Sequence, residues 1–159
     1  MQTKSIDTPL SEITLRRYER PYNLSKRELV RKLCLSLGIL QPGDSRDVIV
    51  DVLYVLLDAK KHEKMLSSDE IRDQVLDFRK QEGLDDTGTA ASNIRRQIKR
   101  LRDIFLVEKV KNDYRIAEFA ALEFTFTEKI EKFLIPSIVN RVKQYLAEVD
   151  NVFPRQKEI

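Results

Sequence analysis

The side chains best placed to do chemistry lie between Thr87 and Ile116. Thr87-Gly88-Thr89-Ala90-Ala91-Ser92-Asn93 opens with short hydroxyl and amide groups, and Arg95, Arg96, Lys99, Arg100 and Arg102 follow. At 100° per residue, Ile94, Ile98, Leu101 and Phe105 share one side of a helix. Arg95, Lys99, Arg102, Ser92 and Arg96 fan across the other side, with Thr89, Arg100 and Asn93 on its flank. An apolar keel, a small-polar start and a cationic outer face suit a helix seated in a DNA major groove. This stretch reads as a nucleic-acid binder.

Charge placement supports that reading. The 159-residue chain carries a formal charge of only +3. Between Thr87 and Arg115, however, eight Lys or Arg face three acids, leaving the rest of the chain net negative. A basic patch on a near-neutral body is the electrostatic footprint of phosphate contact. The plainer alternative is that these cations merely keep an exposed helix soluble. Asp103 is the only acid interleaved among them in the helix, which favours the binding reading.

Composition narrows the remaining classes. Charged residues make up 35% and apolar residues 42%, enough for one soluble domain with extensions. A single cysteine, Cys34, excludes an internal disulfide, and its setting between Leu33 and Leu35 predicts a buried, inert thiol. The single histidine, His62, lies in a charged stretch and is expected on the surface. No second imidazole is available to pair with it at a metal, so no metal and no cofactor are expected. The line Asp47, Asp51 and Asp58 could hold a cation, but a helix's solvated edge accounts for it more simply. There is no Gly-rich phosphate loop, nucleophile elbow or paired-His spacing, and the expectation is that this is not an enzyme. No apolar run reaches the roughly 18–20 residues of a membrane span, and the polar N-terminus lacks a signal-peptide core. The expected location is cytoplasmic.

The elements that must position the basic helix follow from local signals. Residues 1–23 form a basic arm with Arg16, Arg17 and Arg20, expected to pack on the body as a strand or loop; a minor-groove arm is the alternative. Ser25 and Glu28 form a capping box and Leu24 a staple onto Leu29, opening a helix with Leu29, Leu33 and Leu37 along one side, ending near Gly38. Gln41-Pro42-Gly43-Asp44 is a turn. Asp44 or Ser45 then starts a helix that is apolar around most of its circumference, as a central buried helix is. Its β-branched residues make a strand the competing assignment; its length and the carboxylate spacing favour helix. Ser67 with Glu70 and Leu66 with Ile71 repeat the start signal for a helix burying Ile71, Val75 and Phe78 and ending at Gly83. Val107–Val110 and Tyr114–Ile116 flank Lys111-Asn112-Asp113, where Asn and Asp tolerate the left-handed backbone of a hairpin turn. From about Thr127 to Val149, Ile135, Ile138, Val142, Tyr145 and Val149 fall at coiled-coil spacing, with a kink or restart expected at Pro136.

In order, residues 45–117 give helix, helix, basic helix and hairpin. That order, with a capped second helix feeding a Thr/Ala/Ser-started third, resembles the winged-helix family of helix-turn-helix DNA-binding domains. The matching residues are Val48 to Leu57, Ser67 to Phe78, Thr89 to Leu101 and Val107 to Ile116. The chain is similar to the small archaeal and bacterial winged-helix regulators, which often append a C-terminal dimerisation helix. The resemblance implies a mainly α fold with a small β-hairpin, a winged helix-turn-helix with N-terminal and C-terminal helical extensions. It divides the chain into an arm and capped helix (1–44), a winged-helix domain (45–118) and a dimerisation helix with tail (119–159). It further implies that Thr89, Ser92 and Asn93 approach base edges, that Arg96 and Arg95 can pair with guanine, and that Thr87, Lys99, Arg100 and Arg102 meet phosphates. Lys109, Lys111 and Arg115 of the wing would hold the flanking backbone. The partners implied are double-stranded DNA and a second copy joined along Ile135, Ile138, Val142, Tyr145 and Val149. The same stripe could instead pack on the capped helix of its own chain. Two features depart from the simplest pattern: the long link Gly83 to Gly88, and the acids Glu108 and Asp113 in the wing. The rival readings are a winged-helix module that binds protein, and an RNA-binding protein using the same basic face.

Overall fold

The computed structural model describes residues 6–157, so residues 1–5 of the arm and 158–159 of the tail lie outside the described residues. The chain is mainly helical with one small antiparallel hairpin. Four helices come first: α1 (Lys26–Ser36), α2 (Val48–Lys60), α3 (Ser68–Gln81) and α4 (Ala91–Asp103). The hairpin β1 (Val107–Val110) and β2 (Asp113–Ile116) follows, then a short turn and the helical segments α5 (Leu122–Thr125) and α6 (Ile135–Val152).

α2 is the axis of the fold. Val50, Val52 and Leu53 are fully shielded, and α1, α3, α4 and β2 pack around the helix. A run with no solvated side can only be stable inside a domain, and each such Leu or Ile contributes about 1.5–3 kcal/mol by leaving water. The competing strand assignment is therefore overturned. α2 begins at Val48, later than Asp44 or Ser45, because Asp44 accepts from the Arg46 N–H in the preceding turn. Asp47 takes the cap position without capping, since its carboxylate is spent on arginines.

α1 and α3 start where their serines predict. Ser67 and Glu70 form the full reciprocal box, whereas at Ser25 only the hydroxyl half, accepting from the Glu28 N–H, is present. The buried face of α1 is Val30, Cys34 and Leu35; of the expected row, Leu37 is buried, Leu33 half-buried and Leu29 exposed. Burial on this face pushes the Cys34 thiol up to about 12. The arm lies along α1 as a packed loop: Arg16 donates its N–H to the Ser36 carbonyl and its guanidinium to the carbonyls of Leu35 and Leu40. His62 is exposed as expected.

Of the expected solvated edge of α2, Asp58 is exposed, whereas Asp47 and Asp51 form an ion cluster shielded from water. Asp51 is fully buried and accepts from Arg27 at 2.9 Å and Arg79 at 2.6 Å; Asp47 adds contacts to both. Arg79 extends the buried row of Ile71 and Val75, where the sequence pointed to Phe78. Phe78 stacks on Tyr54 at the surface of the α2–α3 pair, ring centroids 4.2 Å apart.

The hairpin pairs Val107 with Ile116 and Val110 with Asp113, so its turn is Lys111-Asn112 and Lys111, not Asn or Asp, takes the left-handed conformation. A single bridge between Leu66 and Tyr114 ties β2 to the segment before α3.

The residues from 122 to 152 are helical throughout, but Phe126–Leu134 is wound as a π-helix. Pro136 offers no N–H, and its ring would press on the carbonyl one α-turn back. The wider winding, in which the Ile135 N–H reaches the Ile130 carbonyl, absorbs that conflict, and α6 restarts at Ile135. Ile130 is fully buried in the common core, with Leu122, Phe126 and Ile135 packed against it. Beyond Ser137, α6 carries an apolar stripe on which Val142, Tyr145 and Val149 are exposed. Among the described residues no helix is long and apolar enough to cross a membrane.

Candidate nucleic-acid interface

α4 is seated by its keel. Ile94, Ile98 and Leu101 are at most 1% exposed. Phe105 leaves that row: the helix stops at Asp103, Ile104 is buried in its place, and Phe105 turns outward in a left-handed conformation.

The start of α4 is fixed by the loop before it. Arg79 donates to the Asp85 carbonyl, and the Asp85 carboxylate accepts from the Thr87 N–H and from Arg79. The Thr87 N–H, then Arg79, hold the Asp85 carboxyl below its ordinary value. From α3, Arg72 donates to the Thr89 carbonyl at 2.7 Å. Thr89 is itself buried, with its hydroxyl donated to the Asp86 carbonyl, so it builds the turn and cannot reach a base. Asn93 donates to the Gly88 carbonyl and accepts from Gln97, which ties its amide to the same turn. Thr87 and Ser92 are exposed.

The outer face carries Arg95, Arg96, Lys99 and Arg102, all exposed. Among the described residues neither Arg95 nor Arg96 has a hydrogen-bond or ion-pair partner. Lys99 pairs with Asp103 at 2.9 Å, but both ends are well exposed, and such a pair contributes at most about 1 kcal/mol. It yields readily to a phosphate. Arg100 is different: its guanidinium donates to the Ile39 carbonyl and to Gln97, binding α4 to the chain after α1. Arg100 therefore belongs to the scaffold.

The hairpin divides in the same way. Lys109 and Lys111 are exposed, whereas Arg115 donates to Glu108 at 2.6 Å and lies over the Phe119 ring. Burial raises the Glu108 carboxyl, and the donated Glu118 N–H and Arg115 more than offset this, leaving it below its ordinary value. Arg115 thus braces the hairpin. Tyr114, which sequence reasoning missed, lies between the two basic elements: Arg102 is 6.0 Å and Lys109 is 5.8 Å from its ring centre. An aromatic in the strand facing the basic helix was the available signal.

The surface that results is a stripe of Arg95, Arg96, Lys99, Arg102, Lys109 and Lys111. Thr89, Arg100 and Arg115 stand behind it as supports. Its chemistry is that of anion contact: planar guanidiniums that can pair in two-point fashion, with ammonium groups as point charges. No family model, curated protein or solved structure matches this chain.

Proposed function

We propose that this chain is a winged-helix DNA-binding protein, a cytoplasmic transcriptional regulator that binds duplex DNA as a dimer by laying α4 in the major groove. The observation that carries the reading is the pair Arg95 and Arg96, cations without partners on a helix whose opposite side is wholly buried. A helix exposed along one full side, with its start held by a rigid loop, can enter a groove about 12 Å wide. Ser92 sits beside these arginines at the end nearest the bases. Lys109 and Lys111 then fall on the flanking backbone. The anchoring of β2 to Leu66 supports this, because a wing must be fixed relative to its helix to contact the same duplex.

Binding of a fluorescent random-sequence duplex, followed by anisotropy across a salt series, tests the reading. Each phosphate contact adds roughly −0.9 to the slope of log affinity against log salt. Six cations per protomer give about −5 for each protomer and about −11 for the dimer, or about six decades of affinity between roughly 50 and 200 mM salt. Arg96→Ala with Lys99→Ala should remove about two units of that slope per protomer and should not lower the melting temperature. Equal affinity of variant and parent at low salt, or a flat salt response, overturns the proposal. Stronger competition by structured RNA than by duplex DNA moves it to the RNA reading.

A further inference from the structure

The stripe on α6 runs through Val139, Val142, Tyr145, Leu146, Val149 and Val152, between 42% and 70% exposed, with Ile138 half-buried at its start. Among the described residues it is left open to solvent. Because Ile130 and Ile135 lock the root of the helix into the core, α6 is held out as a rigid rod about 27 Å long. We infer that the occupant of this face is the α6 of a second copy, lying antiparallel, in the register that sets Arg141 of each chain against the partner subunit's Glu148.

The flanking charges decide orientation and register. Arg141 and Glu148 are seven residues apart and so occupy one column along an edge of the stripe. In a parallel pair each would face an apolar residue of the other helix, Leu146 or Phe153, and both charges would lose water for no partner. In an antiparallel pair, two-fold symmetry brings this edge against its own copy, so that each contact occurs twice. Centring the axis between Lys143 and Gln144 brings Arg141 to within about two residues, roughly 3 Å along the axis, of the partner subunit's Glu148 on the same edge. It also layers Val142 on Tyr145 and Ile138 on Val149, with Val139 and Leu146 meeting along the other edge. Sliding one seven-residue repeat in one direction sets Glu148 against itself. Sliding in the other direction sets Arg141 against itself. Only the central register joins unlike charges. Arg141 now donates to Gln144 at the surface, and Glu148 is an exposed carboxylate on the same edge.

The same register bears on the DNA proposal, and this step rests on that reading. Ile130 lies about 20 Å along the helix from the axis, so the two bodies are rooted about 40 Å apart. One turn of DNA is about 34 Å, the separation at which paired recognition helices meet successive grooves.

Sedimentation equilibrium of the full chain without DNA should give twice the chain mass at micromolar concentration. Arg141→Glu and Glu148→Arg, each alone, should weaken the dimer by about tenfold, since two attractive contacts become repulsive. The double exchange should return it to within about threefold of the parent. Under oxidation, a mixture of Val142→Cys chains and Tyr145→Cys chains should cross-link faster than either alone; the buried Cys34 stays silent. A monomeric or higher-order parent, a double exchange weaker than both single variants, or rapid cross-linking of Val142→Cys to itself overturns the inference. A monomer that keeps salt-dependent DNA binding separates failure here from failure of the DNA reading.

Discussion

Replacing Asp51 by alanine is the sharpest test of how the interface is held in place. Asp51 is wholly buried, and its two oxygens accept from Arg27 at 2.9 Å and from Arg79 at 2.6 Å. Arg79 in turn fixes the loop through the Asp85 carbonyl at 2.7 Å. No buried side-chain polar atom among the described residues lacks a partner, so the network is complete as it stands. Asp51→Ala leaves the two guanidiniums sharing Asp47, at 3.1 Å and 3.4 Å, with the exposed Asp85 carboxylate still 3.3 Å from Arg79. Breaking one side of a buried pair costs about 3–5 kcal/mol. At about 2–4 °C per kcal/mol, the melting temperature should fall by about 6–20 °C. The loss should concentrate where Arg79 acts, so amide exchange should quicken from Thr87 to Asn93 before it does in the centre of α2. Replacing both Asp51 and Arg79 by leucine removes the opposing charges together and should recover most of the stability, while Arg27 keeps Asp47. Urea and thermal melts with residue-resolved exchange measure all of this. A stability change under about 1 kcal/mol for Asp51→Ala, or exchange that quickens uniformly, refutes the role given to the cluster.

Gly38→Ala should release the arm. Gly38 has φ of +71°, and an added Cβ would sit 2.5 Å from the Thr14 carbonyl oxygen. A left-handed alanine costs about 1–2 kcal/mol before the clash is counted. Limited proteolysis should then cut between Ile13 and Tyr22 at a faster rate; an unchanged digestion pattern contradicts the packed arm. At acid pH, Glu70, Asp85 and Glu108 all have native values held below the ordinary 4.5, 3.8 and 4.5. A depressed native value means that the stability they contribute is present above those ordinary values and is lost as pH falls through the lower native ones. Urea midpoints should therefore decline below about pH 4.5, and Glu70→Gln should flatten that decline. A Glu70→Gln curve parallel to the parent's rules out the Glu70 carboxylate as a contributor.

What could be read in advance was local. Ser25, Ser67, Gly38 and Gly83 mark helix ends because caps and left-handed glycines act within a turn of their own position. The keel Ile94, Ile98 and Leu101 and the cations opposite follow from helical period alone. What escaped was set by distant partners. Asp51 repeats with Asp47 and Asp58 at the spacing of a wet edge, and only arginines 24 and 28 residues away reveal that it is dry. The row Leu29, Leu33 and Leu37 has good helical spacing, but only Leu37 of it is buried, and Val30, Cys34 and Leu35 supply the rest of the covered face. Thr89, Arg100 and Arg115 have the right chemistry for contact and were drawn inward by carbonyls and a carboxylate that periodicity does not show. The π-helical winding before Pro136 has no sequence period to betray it.

The division of arginines explains why the α4 face is available at all. Arg27 and Arg79 meet Asp47 and Asp51 in the core, Arg100 meets carbonyls, and Arg115 meets Glu108. Each of these raises stability in the free protein. Arg95, Arg96, Lys99 and Arg102 do the reverse. They fall three or four residues apart, and each like-charged pair at that spacing costs a helix about 0.2–0.5 kcal/mol. Asp103 relieves only Lys99. On the adjoining surface Lys109 adds further positive charge, bridged to Arg102 by nothing more than the Tyr114 ring. Folding alone gives no reason to concentrate these charges on a helix whose buried side would hold it in place without them. An anionic partner does give one, because each phosphate placed against the stripe turns a repulsion in the free protein into an attraction in the complex.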